Sequence, residues 1–283
     1  MTKTFLLGLG AQKAGTTWLH DYLITLDGVD MGFLKEYHVF DARHRSDDSR
    51  RKADLVAKAQ RLLSRSDVDF TRKPHFWTYL AMLADSENYF NYFSGVLCQP
   101  GTFVTGDITP SYSMLGAQEL HMIRNALELR GVNCKAIFLM RDPVERLWSA
   151  ARMRRRERPQ AADAPEDHMV LHALKRGGFA GRTRYEKSLA AMDAAFGPED
   201  CLTCFYETLF QEPEVRRICA FLGLEYRVPE FDKRVNVSQK TVPLSEDTCR
   251  IVAQHFAPTY QAVAQRFGAE AVRNLWPHAR FVI

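Results

Sequence analysis

Apolar positions along this chain follow two alternating patterns. "TFLLGL" (residues 4–9) is an apolar run without polar alternation, as expected of a strand covered on both faces, and "CKAIFLMRDP" (134–143) gives a second buried strand. "GTFVTGDITPSYSML" (101–115) reads as a strand closed by Pro110, and "CLTCF" (201–205) as another. Helical spacing marks a helix capped by Thr16 or Thr17 and running to about Leu26, the charged stretch 46–64, the aromatic-rich 75–97, and 116–129. A further helix runs to about Glu157, with Pro143 at its first position behind an Asp142 cap. "MGFLKEYHVFDARH" (31–44) returns toward the sheet and ends in a polar loop. Two helical patterns precede "CLTCF", and 243–268 is a long amphipathic region with a break at Pro258. Residues 158–167 form a Pro-, Ala- and Asp-rich loop, and neither a repeat nor a low-complexity tract interrupts the chain. Strands alternating with helices predict an α/β fold: one domain over 1–283, with a central, mostly parallel, doubly wound sheet flanked by helices.

Composition supports a soluble protein with a sizeable core: 283 residues, 46% hydrophobic and 25% charged. The N-terminal apolar run is too short for a signal peptide and leads into polar loop residues, and no stretch reads as a membrane span, so a cytoplasmic location is expected. Six cysteines are scattered, and the C-x-x-C of Cys201 and Cys204 lies in a strand-like run with no second pair or nearby His, which reads as ordinary strand residues. The net charge of +4 is concentrated between Arg141 and Arg158, where seven arginines face three acids. One local basic region suits an anionic ligand better than nucleic acid.

"GLGAQKAGTTWLHDYL" (8–23) joins the first strand to its helix. Gly10 and Gly15 have the spacing of a Walker A loop, yet Thr16 stands where the lysine belongs and Lys13 sits inside the loop. Backbone N–H groups from Gly10 through Ala14 and Gly15, the helix dipole, the Thr16 and Thr17 hydroxyls and the Lys13 charge together suit a phosphate, one shorter than a triphosphate and without a metal. A glycine turn before a capped helix has the same spacing. A second anion signal comes from "FLMRDPVERLWSAARMRRRE", which puts Arg141 past a strand end and Ser149 on the second turn of the next helix. In a doubly wound sheet the two ends share one crevice, so a nucleotide phosphorylated at both ends fits.

These two stretches resemble the 5′-phosphosulfate loop and the 3′-phosphate motif of sulfotransferases that use 3′-phosphoadenosine 5′-phosphosulfate; in the second motif an arginine and a serine eight residues later hold the 3′-phosphate, as Arg141 and Ser149 would. The resemblance covers 4–158 well, and "GRTRYEKSLAAMDAAFG" and "CLTCFYETLF" resemble later parts of the family. It implies a P-loop, nucleotide-kinase-like topology, that nucleotide as donor, no metal, and a leaving phosphate stabilised by Lys13. "KEYHVFD" (35–41) is similar to the segment of glucosaminyl 3-O-sulfotransferases, a heparan-sulfate-modifying group, where a glutamate is the base; Glu36 matches it and His38 the histidine after it. A carboxylate in a closed, partly dry cleft has a raised pKa and serves as base. That group carries a lysine in "E-K-T-P-x-Y", whereas this chain reads "GDITPSY": Asp107, Thr109, Pro110 and Tyr112 keep the frame, Ile108 replaces the lysine, and Lys35 is the substitute charge. Cytosolic small-molecule sulfotransferases use a histidine on the strand corresponding to 102–109; none lies there, which favours Glu36 with His38 second.

Tyr185 is carried over to the nucleotide region, as are Ser238 and Lys240 in "RVNVSQKTVPL", a loop that would close over the nucleotide. Trp18, on the nucleotide side, packs its helix on the sheet, and Arg152, Arg154, Arg155 and Arg156 form either a route for an acidic acceptor or a solvated face. The helical, aromatic-rich 42–98 is an insertion shaping the acceptor cleft. Expected acceptors are small molecules, carbohydrates, lipid headgroups, peptide tyrosine or phenols, with no nucleic acid and no membrane span. A P-loop kinase or NTPase with a displaced lysine would instead need Asp142 as a magnesium ligand in imitation of a Walker B residue, and a non-catalytic protein could hold an anionic partner in the same clefts.

Overall fold

The computed structural model describes residues 2–41, 46–64, 69–157, 164–232 and 242–283. Its strands are β1 (Thr4–Gly10), β2 (Val104–Ile108), β3 (Asn133–Met140) and β4 (Cys201–Phe205). They form one all-parallel sheet in the order β2-β1-β3-β4. The uninterrupted apolar runs are the buried strands: every residue of β1 and the last five of β3 are buried. At the sheet edge, β4 alternates between half-exposed and buried positions. Cys201 and Cys204, three apart on a strand, therefore point to opposite faces and cannot share a ligand. Burial pushes both thiols up, that of Cys201 to about 11.

The other edge strand, β2, is fully buried because residues 28–35 run along it. Gly28 O accepts from Val104 N–H (3.0 Å), Asp30 N–H donates to Val104 O (3.0 Å), and Ile108 N–H donates to Lys35 O (3.3 Å). This covers the open edge and carries "KEYHVFD" to the carboxyl end of the sheet. From β1 the chain goes first to β2 on one side and then to β3 on the other. The order thus reverses between β1 and β3, and such a switch point opens a crevice beyond the strand ends.

Helix α1 (Thr16–Leu23) is shorter than the spacing predicts, because the Thr25 hydroxyl donates to Tyr22 O (2.7 Å) and closes the last turn locally. After α2 (Ser46–Leu63), the aromatic-rich stretch is two helices, α3 (Pro74–Ala84) and α4 (Ser86–Leu97). They part at Asp85, whose extended backbone and carboxylate, accepting from Glu87 N–H (2.9 Å), cap α4. Tyr89 and Phe93 of α4 pack edge-on against Phe5 of β1, with centroids 6.1 and 4.9 Å apart. Helices α5 (Ala117–Glu128) and α6 (Pro143–Glu157) fall where their spacing places them.

The loop predicted to reach residue 167 is entered earlier by α7 (Glu166–Leu174). Three helices rather than two precede β4, since Gly177 and Gly178 split off the short α8 (Gly177–Gly181) before α9 (Tyr185–Ala195). Then follow α10 (Tyr206–Leu209), α11 (Glu212–Leu222), α12 (Glu246–His255), α13 (Ala257–Phe267) and α14 (Ala269–Leu275). The break between α12 and α13 is at Phe256, two residues before Pro258, because proline belongs in the first turn of a new helix. Among the described residues, no helix is long and apolar enough to cross a membrane.

Candidate active site

Between β1 and α1 the backbone enters the left-handed region three times, at Gly10 (φ +112°), Lys13 (φ +68°) and Gly15 (φ +92°). A Cβ on Gly10 would lie 2.5 Å from Pro110 O, and one on Gly15 2.4 Å from Leu209 Cδ2, so both positions require glycine. Gly15, not Thr16 or Thr17, is the N-cap of α1, so the cap residue offers no side chain to the first turn. The positive end of the helix dipole stands at this turn. Ala11 N–H donates to Leu139 O (2.6 Å), which ties the loop to β3, and Ala14 N–H closes it on Ala11 O (3.2 Å). Thr16 is buried and Thr17 half-buried.

Just beyond β3, the Arg141 guanidinium donates from Nη1 to Lys13 O (3.1 Å) and from Nη2 to Glu145 Oε2 (3.2 Å). It lies 4.3 Å over the Tyr206 ring. Tyr185, fully buried, donates its hydroxyl to Arg141 O (3.0 Å) and so supports the arginine from behind. Ser149 is buried two turns into α6. Trp18 stacks on Tyr22 and Phe231 and meets Phe210 edge-on, so its packing extends beyond the sheet.

Glu36 and His38 stand together at the end of β2. His38 Nε2 is 3.2 Å from Glu36 Oε2, while its Nδ1 hydrogen-bonds Asp41 Oδ2 (2.8 Å) and lies 3.3 Å from Ser111 Oγ. Ser111 also donates to Asp41. Lys35 Nζ donates to Glu36 Oε1 (2.6 Å). The raised pKa expected of Glu36 is not found. Burial pushes its carboxyl up, but the His38 hydrogen bond and the Lys35 charge outweigh it and hold the group down at about 2. Ile108 is fully buried, and the positive charge beside Glu36 is Lys35.

A sequence model described as the sulfotransferase family matches residues 6–228. The chain belongs to the sulfotransferase family. Its fold is similar to that of a sulfotransferase from Alicyclobacillus acidocaldarius: TM-score 0.64 and 18% identity, over 96% of this chain and 100% of the other. It is also similar to the sulfotransferase domain of the Synechococcus PCC 7002 olefin synthase: TM-score 0.50 and 14% identity, over 90% and 95% of the two chains. Among curated proteins no significant sequence match is found.

In this sulfotransferase Asp142 does not stand as a Walker B carboxylate would. It is fully buried, and its Oδ1 accepts from Val144 N–H (2.8 Å), Glu145 N–H (3.3 Å) and the Tyr260 hydroxyl (3.0 Å). Oδ2 accepts from His278 N–H (3.1 Å). The carboxylate caps α6 and anchors the C-terminal turn. The arginine run of α6 is largely absorbed by packing: Arg152 is buried over Trp148, Arg154 lies over Phe179, Arg155 pairs with Glu166 (2.8 Å), and Arg156 is exposed.

Ser238 and Lys240 lie outside the described residues. Asp41 and Ser111 complete the cluster around His38, and the signal for Asp41 in the sequence is a second acid three residues beyond His38. Arg146 is legible in the sequence only as one of the seven arginines between Arg141 and Arg158. It is fully buried, with Nη2 donating to Phe179 O (2.8 Å) and, among the described residues, no partner at Nε or Nη1.

Proposed function

We propose that this sulfotransferase moves the sulfuryl group of 3′-phosphoadenosine 5′-phosphosulfate to a hydroxyl or amine. The observation that carries this reading is the Arg141–Lys13 hydrogen bond, which joins the β1 loop and the β3 end into one anion site. The donor set suits a nucleotide phosphorylated at two positions: backbone N–H groups of the loop and the first turn of α1 on one side, Arg141 and Ser149 on the other. Positive charge gathers there. Burial first, then the neighbouring Arg182 and Arg141, pushes the Arg146 guanidinium down to about 10, an environment that an anion relieves. Gly10, Ala14, Gly15, Thr16 and Thr17 would hold the 5′ end, and Tyr185 would keep Arg141 in place; Trp18 would flank the nucleotide.

Bound there, the donor supplies an activated sulfuryl group on a phosphate leaving group. Lys13 stabilises negative charge on that phosphate oxygen. Glu36 takes the acceptor proton on a carboxylate oxygen. With its carboxyl held at about 2, Glu36 is a weak base, so it gains the proton only as the acceptor bonds to sulfur. His38, with both ring nitrogens engaged by Glu36 and Asp41, orients Glu36 and is the second candidate base. Lys35 holds the other oxygen of Glu36. The helices α2–α4 within 42–98 contribute the acceptor wall, where His75 stacks on Phe33 with centroids 4.5 Å apart. A small molecule, a carbohydrate or a lipid headgroup would enter beside it.

Titration calorimetry with adenosine 3′,5′-bisphosphate and with ATP, each with and without magnesium, tests the reading. Metal-independent binding of the bisphosphate, weakened by about a hundredfold in Arg141→Ala, is expected. Magnesium-dependent ATP binding without a bisphosphate signal would overturn it.

A further inference from the structure

The segment bearing Glu36 and His38 has no regular secondary structure, and side chains hold its backbone. Three consecutive N–H groups donate to residues at the end of β2. Tyr37 N–H is shared between Thr109 Oγ1 (3.0 Å) and Asp107 Oδ1 (3.3 Å), His38 N–H reaches Thr109 Oγ1 (3.5 Å), and Val39 N–H reaches the Tyr112 hydroxyl (3.1 Å). Asp107, fully buried, gathers these partners. Its Oδ1 accepts the Thr109 hydroxyl (2.6 Å), and its Oδ2 accepts those of Tyr89 (3.0 Å) and Tyr112 (2.9 Å). Since the Thr109 proton goes to Asp107, the lone pairs of Oγ1 face the two N–H groups. His38 sits at φ +53°, a conformation a non-glycine residue keeps only where its surroundings impose it.

We propose that Thr109, oriented by Asp107, is a positioning residue for sulfuryl transfer: it fixes the backbone of residues 37 and 38 and thereby the placement of Glu36 and His38. This inference rests on Glu36 being the proton acceptor. Thr109→Val keeps the shape and removes the acceptor, so His38 N–H loses its partner, Tyr37 N–H keeps only Asp107 Oδ1, and the segment relaxes. Tyr89→Phe is the matched control, because it removes a hydroxyl bonded to Asp107 and keeps the ring that packs on Tyr37 and Phe40.

The ring nitrogens of His38, read by NMR on 15N-histidine protein, report directly whether Glu36 and Asp41 still engage them, and they require no acceptor. In Thr109→Val these resonances move, and they stay in place in Tyr89→Phe. Bisphosphate release from 3′-phosphoadenosine 5′-phosphosulfate with p-nitrophenol as acceptor gives the rate. A drop in kcat of about tenfold to a hundredfold is expected in Thr109→Val, with donor KM and bisphosphate Kd changed by no more than about twofold. Unmoved His38 resonances, an unchanged kcat, or equal losses in Thr109→Val and Tyr89→Phe each overturn the proposal. Should Thr109→Val lose bisphosphate binding, Tyr112→Phe, which takes the partner from Val39 N–H and one of two tyrosine donors from Asp107 Oδ2, carries the same expectations. Glu36→Gln separates the two readings. Turnover retained in that variant removes Glu36 as base, whereas an inactive Glu36→Gln beside a wild-type-like Thr109→Val removes only the positioning role.

Discussion

Arg141 donates to the main-chain oxygen of Lys13 at 3.1 Å, so the residue after β3 fixes the loop after β1. Removing the guanidinium therefore disturbs both halves of the proposed anion site. Arg141→Ala should weaken adenosine 3′,5′-bisphosphate binding by about a hundredfold, a charged hydrogen-bonding partner being worth about 1.5–3 kcal/mol. Arg141→Lys should recover only part of this, because an ammonium cannot bond Lys13 O and Glu145 from one planar fork. Calorimetry on the two variants checks the order, and equal affinities for Lys and Arg would contradict it.

Glu36→Gln keeps the shape of the side chain and removes its basicity. Turnover should fall by about a hundredfold to ten-thousandfold, the usual range for a general base, while bisphosphate affinity is preserved. Because the Glu36 carboxyl is held at about 2, it is ionised throughout the neutral range. An acid limb in kcat/KM between pH 5 and 8 would therefore have to come from another group, and its survival in a partly active Glu36→Asp variant would demonstrate that.

Gly15→Ala places a methyl group 2.4 Å from Leu209 Cδ2 on a backbone at φ +92°. The left-handed conformation alone costs about 1–2 kcal/mol, and the overlap adds to it. Chemical denaturation should show a loss of at least that size, together with weakened bisphosphate binding as the loop shifts. Full stability in this variant would mean that the loop accommodates a side chain.

Glu207 accepts from Asp142 N–H (3.1 Å) and Trp276 Nε1 (3.2 Å), and burial pushes its carboxyl up to about 7. The folded state keeps this proton where the unfolded chain, at about 4.3, has released it. Its contribution to stability is complete below the unfolded value and is lost as pH rises through about 7. Asp107, raised to about 6 by burial, acts in the same direction. Between pH 5 and pH 8 the unfolding free energy of Glu207→Gln should decline less than that of the wild type, since only the Glu207 proton is removed from the comparison. Parallel declines would show that Glu207 titrates normally.

The sequence by itself determined the features that depend on near neighbours in the chain. The apolar runs of β1 and β3 are legible because both faces of those strands are covered. Gly10 and Gly15 bracket a loop whose φ values demand them, Asp142 caps a helix that begins with Pro143, and Arg141 and Ser149 lie eight residues apart on one strand–helix unit. Only the tertiary structure decided what the chain brings together over long separations. Ser111 reaches Asp41 and His38 across about seventy residues, Tyr260 and His278 saturate Asp142 from the C-terminal region, and Asp107 collects hydroxyls from two elements. The charge state of Glu36 belongs to the same class. Cleft burial suggested a raised pKa, but Lys35 and His38 fold back onto the carboxylate and reverse the sign. A pKa and a hydrogen-bond network are sums over everything packed around a group, and for a segment without helix or strand no local pattern states that packing in advance.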